Sequence, residues 1–146
     1  MLKLLALITV FSLAFTLTSS SAGAAGATVI TPSQLHWQSG NGLPPGAKMA
    51  VVSGDPNGSG WFTVRLSLPA GGAFPPHTHP TTEYVTVLSG TVEFGTGDSM
   101  SNGTPLGAGS YVVVPAGVHH HAKAQTAAIV QVSGMGPFKT TFIKQK

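Results

Sequence analysis

The sequence predicts an all-β protein, folded as a small antiparallel barrel or sandwich. Past residue 28, runs of four to eight residues rich in Val, Ile, Thr, Phe and Trp recur, at the roughly 8–12 residue spacing of such folds. Clusters of Gly, Pro, Asn and Ser separate them, drawn from 19 Gly and 11 Pro in 146 residues. One run also alternates with period two. In Trp61–Leu68, Phe62, Val64, Leu66 and Leu68 share one side, and Trp61, Thr63, Arg65 and Ser67 the other. Helix signals are scarce, and closing the sheet would remove its exposed edges.

The chain opens on a basic start, Met1-Leu2-Lys3, followed by an apolar run of 14 residues from Leu4 to Leu17. Small residues fill Thr18 to Ala27. This three-zone build is that of a secretory signal peptide over residues 1–24, cleaved after Ala24 or Ala27. The apolar run is shorter than the ~20 residues that cross a bilayer, so no retained membrane anchor is expected. The expected location is secreted or periplasmic, with a single domain over residues 28–146.

Within that domain the first strands expected are Ala47–Ser53 and Trp61–Leu68, the second bracketed by Gly54–Gly60 and Pro69–Gly72. Glu83–Ser89 and Thr91–Phe94 flank Gly90 as a strand, a tight turn and a returning strand. Gly95–Gly109 is polar and glycine-rich with no apolar period, and reads as a connection. Ser110–Val114, His119–Ala122, Ala127–Ser133 and Phe138–Ile143 complete the set.

Charge is sparse: seven Lys and Arg against four Asp and Glu give a net +3, and charged residues make up 8% of the chain. With no basic cluster, nucleic-acid binding is not expected, because phosphate recognition needs grouped cations. Cys is absent, which excludes disulfides and thiolate metal sites. Of the four carboxylates, Asp55 and Asp98 lie in turn-like segments and Glu93 on an expected strand. Glu83 alone stands near histidines.

Six histidines are present: His36, His77, His79, His119, His120 and His121. On a strand, His77 and His79 project from one face. After a Pro-Thr-Thr bend comes Glu83, and a second His-bearing segment, Pro115–His121, follows. Neutral imidazoles and a carboxylate bind divalent first-row metals. Spacing alone leaves open a metal site or a set of ordinary surface and core histidines.

Two longer patterns carry a family resemblance. Gly71-x5-His77-x-His79-x3-Glu83-x6-Gly90 resembles the first cupin motif position by position, and Gly109-x5-Pro115-x-Gly117-x2-His120 the second. The wording LPPGAKMAVVSGDP and HTHPTTEYVTVLSG is also similar to the cupin-like domain of zinc-dependent anti-sigma factors. Their N-terminal helical zinc module has no counterpart in the sequence, so their regulatory role is not transferred. The resemblance implies a double-stranded β-helix (a cupin-like jelly roll) holding one divalent transition metal through His77, His79, Glu83 and His120. Fe, Mn, Zn, Ni and Cu all accept these ligands. One departure is Ala124, where the second motif usually has Asn, a residue that is not a ligand.

Strand parity adds an expectation: if His120 points at the metal, His119 and His121 point away, toward surface or interface. Polar groups considered for tuning the site are Tyr84, Tyr111, Gln131, His36 and Arg65, with Arg65 outside and Gln131 facing the cavity beside Ile129. The expected partner is a small-molecule ligand or substrate. Trp37, Trp61 and Phe74 would suit a homodimer contact. Two functions follow: a metal-dependent dioxygenase acting on a small oxygenated or aromatic compound, with lyase or isomerase chemistry as variants, or a non-catalytic metallo-cupin that binds or senses a ligand or metal.

Overall fold

A computed structural model describes residues 26–144. The expected signal peptide, over residues 1–24, lies outside the described residues. The strands are β1 Lys48–Ser53, β2 Trp61–Leu68, β3 Ala73–Thr78, β4 Glu83–Ser89, β5 Val92–Thr96, β6 Thr104–Leu106, β7 Tyr111–Val114, β8 His120–Ala124, β9 Ala128–Met135 and β10 Thr141–Phe142. Among the described residues, a 3-10 turn, Pro32–Gln34, precedes them.

The strands form two five-stranded sheets, ordered β1-β2-β9-β4-β7 and β10-β3-β8-β5-β6, with every pairing antiparallel. Their inner faces enclose the core, where Phe62 is fully buried among Val64, Leu68, Val87, Val92, Val130 and Val132. The alternation read in Trp61–Leu68 holds: Phe62, Val64 and Leu68 are buried, and Leu66 lines the interior beside them.

All eight expected runs overlap a strand, three of which extend past the expected end, and two strands were not expected. β3 carries Pro75 and Pro76, which remove two ladder donors. The strand accommodates them at a register shift between Phe74 and His77, and the Pro76 carbonyl accepts the Ile143 amide. β6 falls inside the connection Gly95–Gly109, where Thr104–Leu106 pairs with Val92–Phe94. Three residues are too few to show a period, so that strand exists only by its pairing.

Gly90 turns β4 toward β5 at φ 75, a left-handed conformation. A Cβ there would run into the Ala127 carbonyl and the Ala128 backbone. Gly90→Ala therefore combines backbone strain with a clash against backbone. It is expected to cost about 2–4 kcal/mol, read as a lower denaturant midpoint at unchanged m-value.

Candidate metal centre

The site forms where the sheets face each other. His77 on β3 pairs in register with His120 on β8, while His79 lies just past the end of β3. The Pro80-Thr81-Thr82 bend does not return a neighbouring strand. It carries the chain across to the opposite sheet, where Glu83 begins β4 in line with Gly134 and, beyond it, Phe62. His77, His79, Glu83 and His120 are all buried.

Backbone carbonyls orient each ring. Nδ1 of His77 donates to the Pro75 carbonyl at 2.8 Å, that of His79 to the Lys139 carbonyl at 2.9 Å, and that of His120 to the Val118 carbonyl at 3.0 Å. A carbonyl can only accept, so each Nδ1 carries the proton and each neutral ring presents an Nε2 lone pair. The ligand atoms of the three histidines lie within 4.8 Å of one another. Glu83 closes the group, Oε2 standing 3.2 Å from His120 Nε2 and Oε1 3.8 Å from His79 Nε2.

The group fits a cation. His79 Nε2 and His120 Nε2 are buried without a hydrogen-bond partner. In the tautomer set by Val118, His120 Nε2 turns a lone pair toward a carboxylate oxygen, and two acceptors face each other with nothing donated between them. Such a pair is stable only with a positive charge added, either a proton or a metal ion. Proton affinities follow the same logic. Burial lowers His77 to about 4, against the raising effect of the Pro75 carbonyl. Burial also lowers His79, against the pull of Glu83. Burial opposes charge on His120 too, but the hydrogen bond that a protonated Nε2 would donate to Glu83, the Val118 carbonyl and the Glu83 charge outweigh it and raise the ring above its ordinary value.

Phenylalanines wall the site. Phe138 stacks on His79 with centroids 4.1 Å apart and lies 5.0 Å from Phe62. Phe94 stacks over His120 at 5.9 Å, and Phe142 and Phe74 lie 5.8 and 6.1 Å from His77. The histidines line a cavity of about 600 Å³ that runs on between the sheets past Val85, Val132, Leu66 and Val130.

The segment that supplies Phe138 and the Lys139 carbonyl was expected as a strand, with no part in the site. A carbonyl is common to every residue, so no side-chain pattern marks Lys139 in the sequence. Phe138→Ala is expected to cost about 2–4 kcal/mol of stability and to weaken metal binding roughly tenfold, since it loosens the ring that Lys139 orients. Thermal unfolding and metal titration would read the two effects separately.

Several expectations need correction. Gln131 does not face the cavity with Ile129; Val130 and Val132 do, and Gln131 Oε1 instead accepts from Arg65 Nε at 3.2 Å on the outer face. Tyr84 also lies on the side opposite Glu83 and Val85, 5.6 Å from Trp61. His36 is exposed and outside the cavity lining, as is Tyr111. Phe74 lines the cavity, whereas Trp61 is 52% exposed. His119 and His121 do point away from the site, but only His119 meets solvent, donating to Asp98. His121 is 1% exposed, packed against Gly95 where the Asn102 carbonyl also approaches. A Cβ at Gly95 would strike both, so the missing side chain makes room for the ring. Asp55 caps its own turn, accepting the Asn57 amide at 2.9 Å. Glu93 accepts from Gln125 at 3.0 Å.

Two antiparallel sheets closed around an inward-facing histidine cluster define a double-stranded β-helix protein with a metal-type site. Residues 64–132 match the model of the Cupin_2 family, the cupin domain, and so carry a cupin domain. Over 87 residues, 56% of the chain, it is 39% identical to germin-like protein 8-14 of Oryza sativa subsp. japonica and spans 41% of that protein's length. The fold is similar to an acetylacetone dioxygenase from Acinetobacter johnsonii, with TM-score 0.63 and 19% identity over 83% of this chain and 79% of that one. It is also similar to the polyketide cyclase RemF from Streptomyces resistomycificus, with TM-score 0.64 and 16% identity over 82% and 89% of the two chains. At these identities the likeness shows a shared fold.

Proposed function

We propose that this chain is an exported metallo-cupin that holds one divalent transition metal through His77, His79, Glu83 and His120 and acts as a dioxygenase on a small oxygenated or aromatic compound. The observation that carries the reading is the convergence of three Nε2 lone pairs and one carboxylate at the end of an apolar cavity. When bound, such an ion supplies Lewis-acid chemistry, and a redox-active one also electron transfer toward oxygen ligands. The protein's part is placement. Pro75, Lys139 and Val118 hold the rings through their carbonyls, and Phe138 and Phe94 stack against His79 and His120. Glu83 is the carboxylate in the cavity lining and the group there able to take a proton from a bound acid.

That same scarcity favours a second reading. Apart from the histidine–glutamate group, the lining offers no acid or base among the described residues, which suits a non-catalytic protein that binds or senses a ligand or the metal. Metal analysis of protein purified from its native compartment, with oxygen uptake over catechols, flavonols and β-diketones, separates the two. Iron, manganese, nickel or copper with oxygen consumption is expected. A fully occupied zinc site with no turnover would remove the dioxygenase reading.

A further inference from the structure

Resting on the metal-centre reading above, we propose that the cavity selects ligands bearing at most one negative charge, carried on oxygen at the histidine end, with an uncharged apolar body. The cavity of about 600 Å³ falls in the range of sites that enclose drug-sized molecules. Its ionisable lining residues are His77, His79, His120 and Glu83, all gathered at one end, and among the described residues no Lys or Arg lines it. Beyond them the walls are Phe74, Phe94, Leu66, Val130, Val132 and Leu106. The polar groups of the rim, Gln38, Ser39, Asn41, Asn57 and Thr140, are exposed and uncharged.

Charge counting sets the limit. Three neutral imidazoles, one carboxylate and one divalent ion leave a single net positive charge, which one enolate, phenolate or monoionised diol neutralises. A second ionised group on the ligand would rest among phenylalanine, valine and leucine side chains. It would lose its hydration there and find no counter-ion. Arg65, the charged residue of β2, lies on the outer face and is engaged with Gln131.

The test uses the full chain loaded with zinc, which leaves a diol unreacted, and a pair of probes sharing one head: naphthalene-2,3-diol and its 6-sulfonate. In calorimetric titrations the diol is expected to bind at least 100-fold more tightly than the sulfonate. Leu66→Arg, which sets a cation on the cavity wall, is expected to narrow that gap below tenfold at unchanged zinc content. Equal affinities in the wild-type protein would overturn the inference, and so would the absence of diol binding at a site shown by elemental analysis to hold zinc. The wild-type comparison stands alone if Leu66→Arg does not fold. Selective diol binding by the iron-loaded protein without oxygen uptake would support this inference while removing the dioxygenase reading. Oxygen uptake with both probes bound equally would do the reverse.

Discussion

Replacing His120 by alanine is expected to empty the site, lowering metal affinity by at least about 100-fold, the share of one ligand in a four-ligand centre. The His119→Ala/His121→Ala double variant is expected to keep its metal, because both rings lie on the opposite face of the chain from His120. The two variants differ in stability in the opposite sense. His121 is 1% exposed and packed against Gly95, so its removal opens a void and is expected to cost about 2–4 kcal/mol. Elemental analysis beside denaturant unfolding would show both effects. Equal metal loss in the two proteins would mean that the inner face of β8 does not carry the ligand.

Removal of the proposed metal from the wild-type protein is expected to be the second large effect. An ion bound only by the folded state, present at about 1,000 times its dissociation constant, stabilises by about 4 kcal/mol. Chelation is therefore expected to lower the melting temperature by roughly 10–20 °C for a domain of this size. The apo-protein should then acquire a pH dependence. His77, lowered by burial to about 4, and His79, also lowered, stay neutral in the fold while the unfolded chain protonates both near 6.5. Between those values the unfolded state binds more protons, so stability falls as the solution is acidified from pH 6.5 toward 4. His120 acts in the other sense. Its raised affinity contributes stability that is complete below 6.5 and lost as pH rises through the raised value. With two rings lowered and one raised, the apo-protein is expected to melt at a lower temperature at pH 5 than at pH 7. A higher melting temperature at pH 5 would mean that His120 and Glu83 dominate the site.

The ligand candidates were legible because their information is local. His77 and His79 need only a two-residue period to share a face, and parity along β8 separates His120 from its neighbours. Strands such as Trp61–Leu68 were legible for the same reason, since alternation along one run reports which side is buried. β3 was harder to read, because two prolines argue against a ladder until the bulge and the β10 carbonyl-to-amide pairing are seen. β6 offered three residues and no period.

Where structure and expectation differ, the surroundings are mostly supplied from elsewhere in the chain. Parity turned His121 outward correctly, but the approach of Asn102 over Gly95 decided that outward did not mean exposed. Gln131 faces outward, against the expectation, because the register pairs it with Arg65 on the outer face.

The sequence by itself determined the all-β class, the alternating core strands and the residues with metal-binding chemistry, because composition and short periods encode these directly. It also held a charge pattern in which Glu83 stands alone among the histidines. Only the tertiary structure decided that Glu83 reaches them from the opposite sheet, that Lys139 orients His79 across 60 residues of chain, and that phenylalanines close the cavity around them. Those contacts join segments far apart along the chain, and their partners are backbone carbonyls and apolar rings that no local pattern singles out.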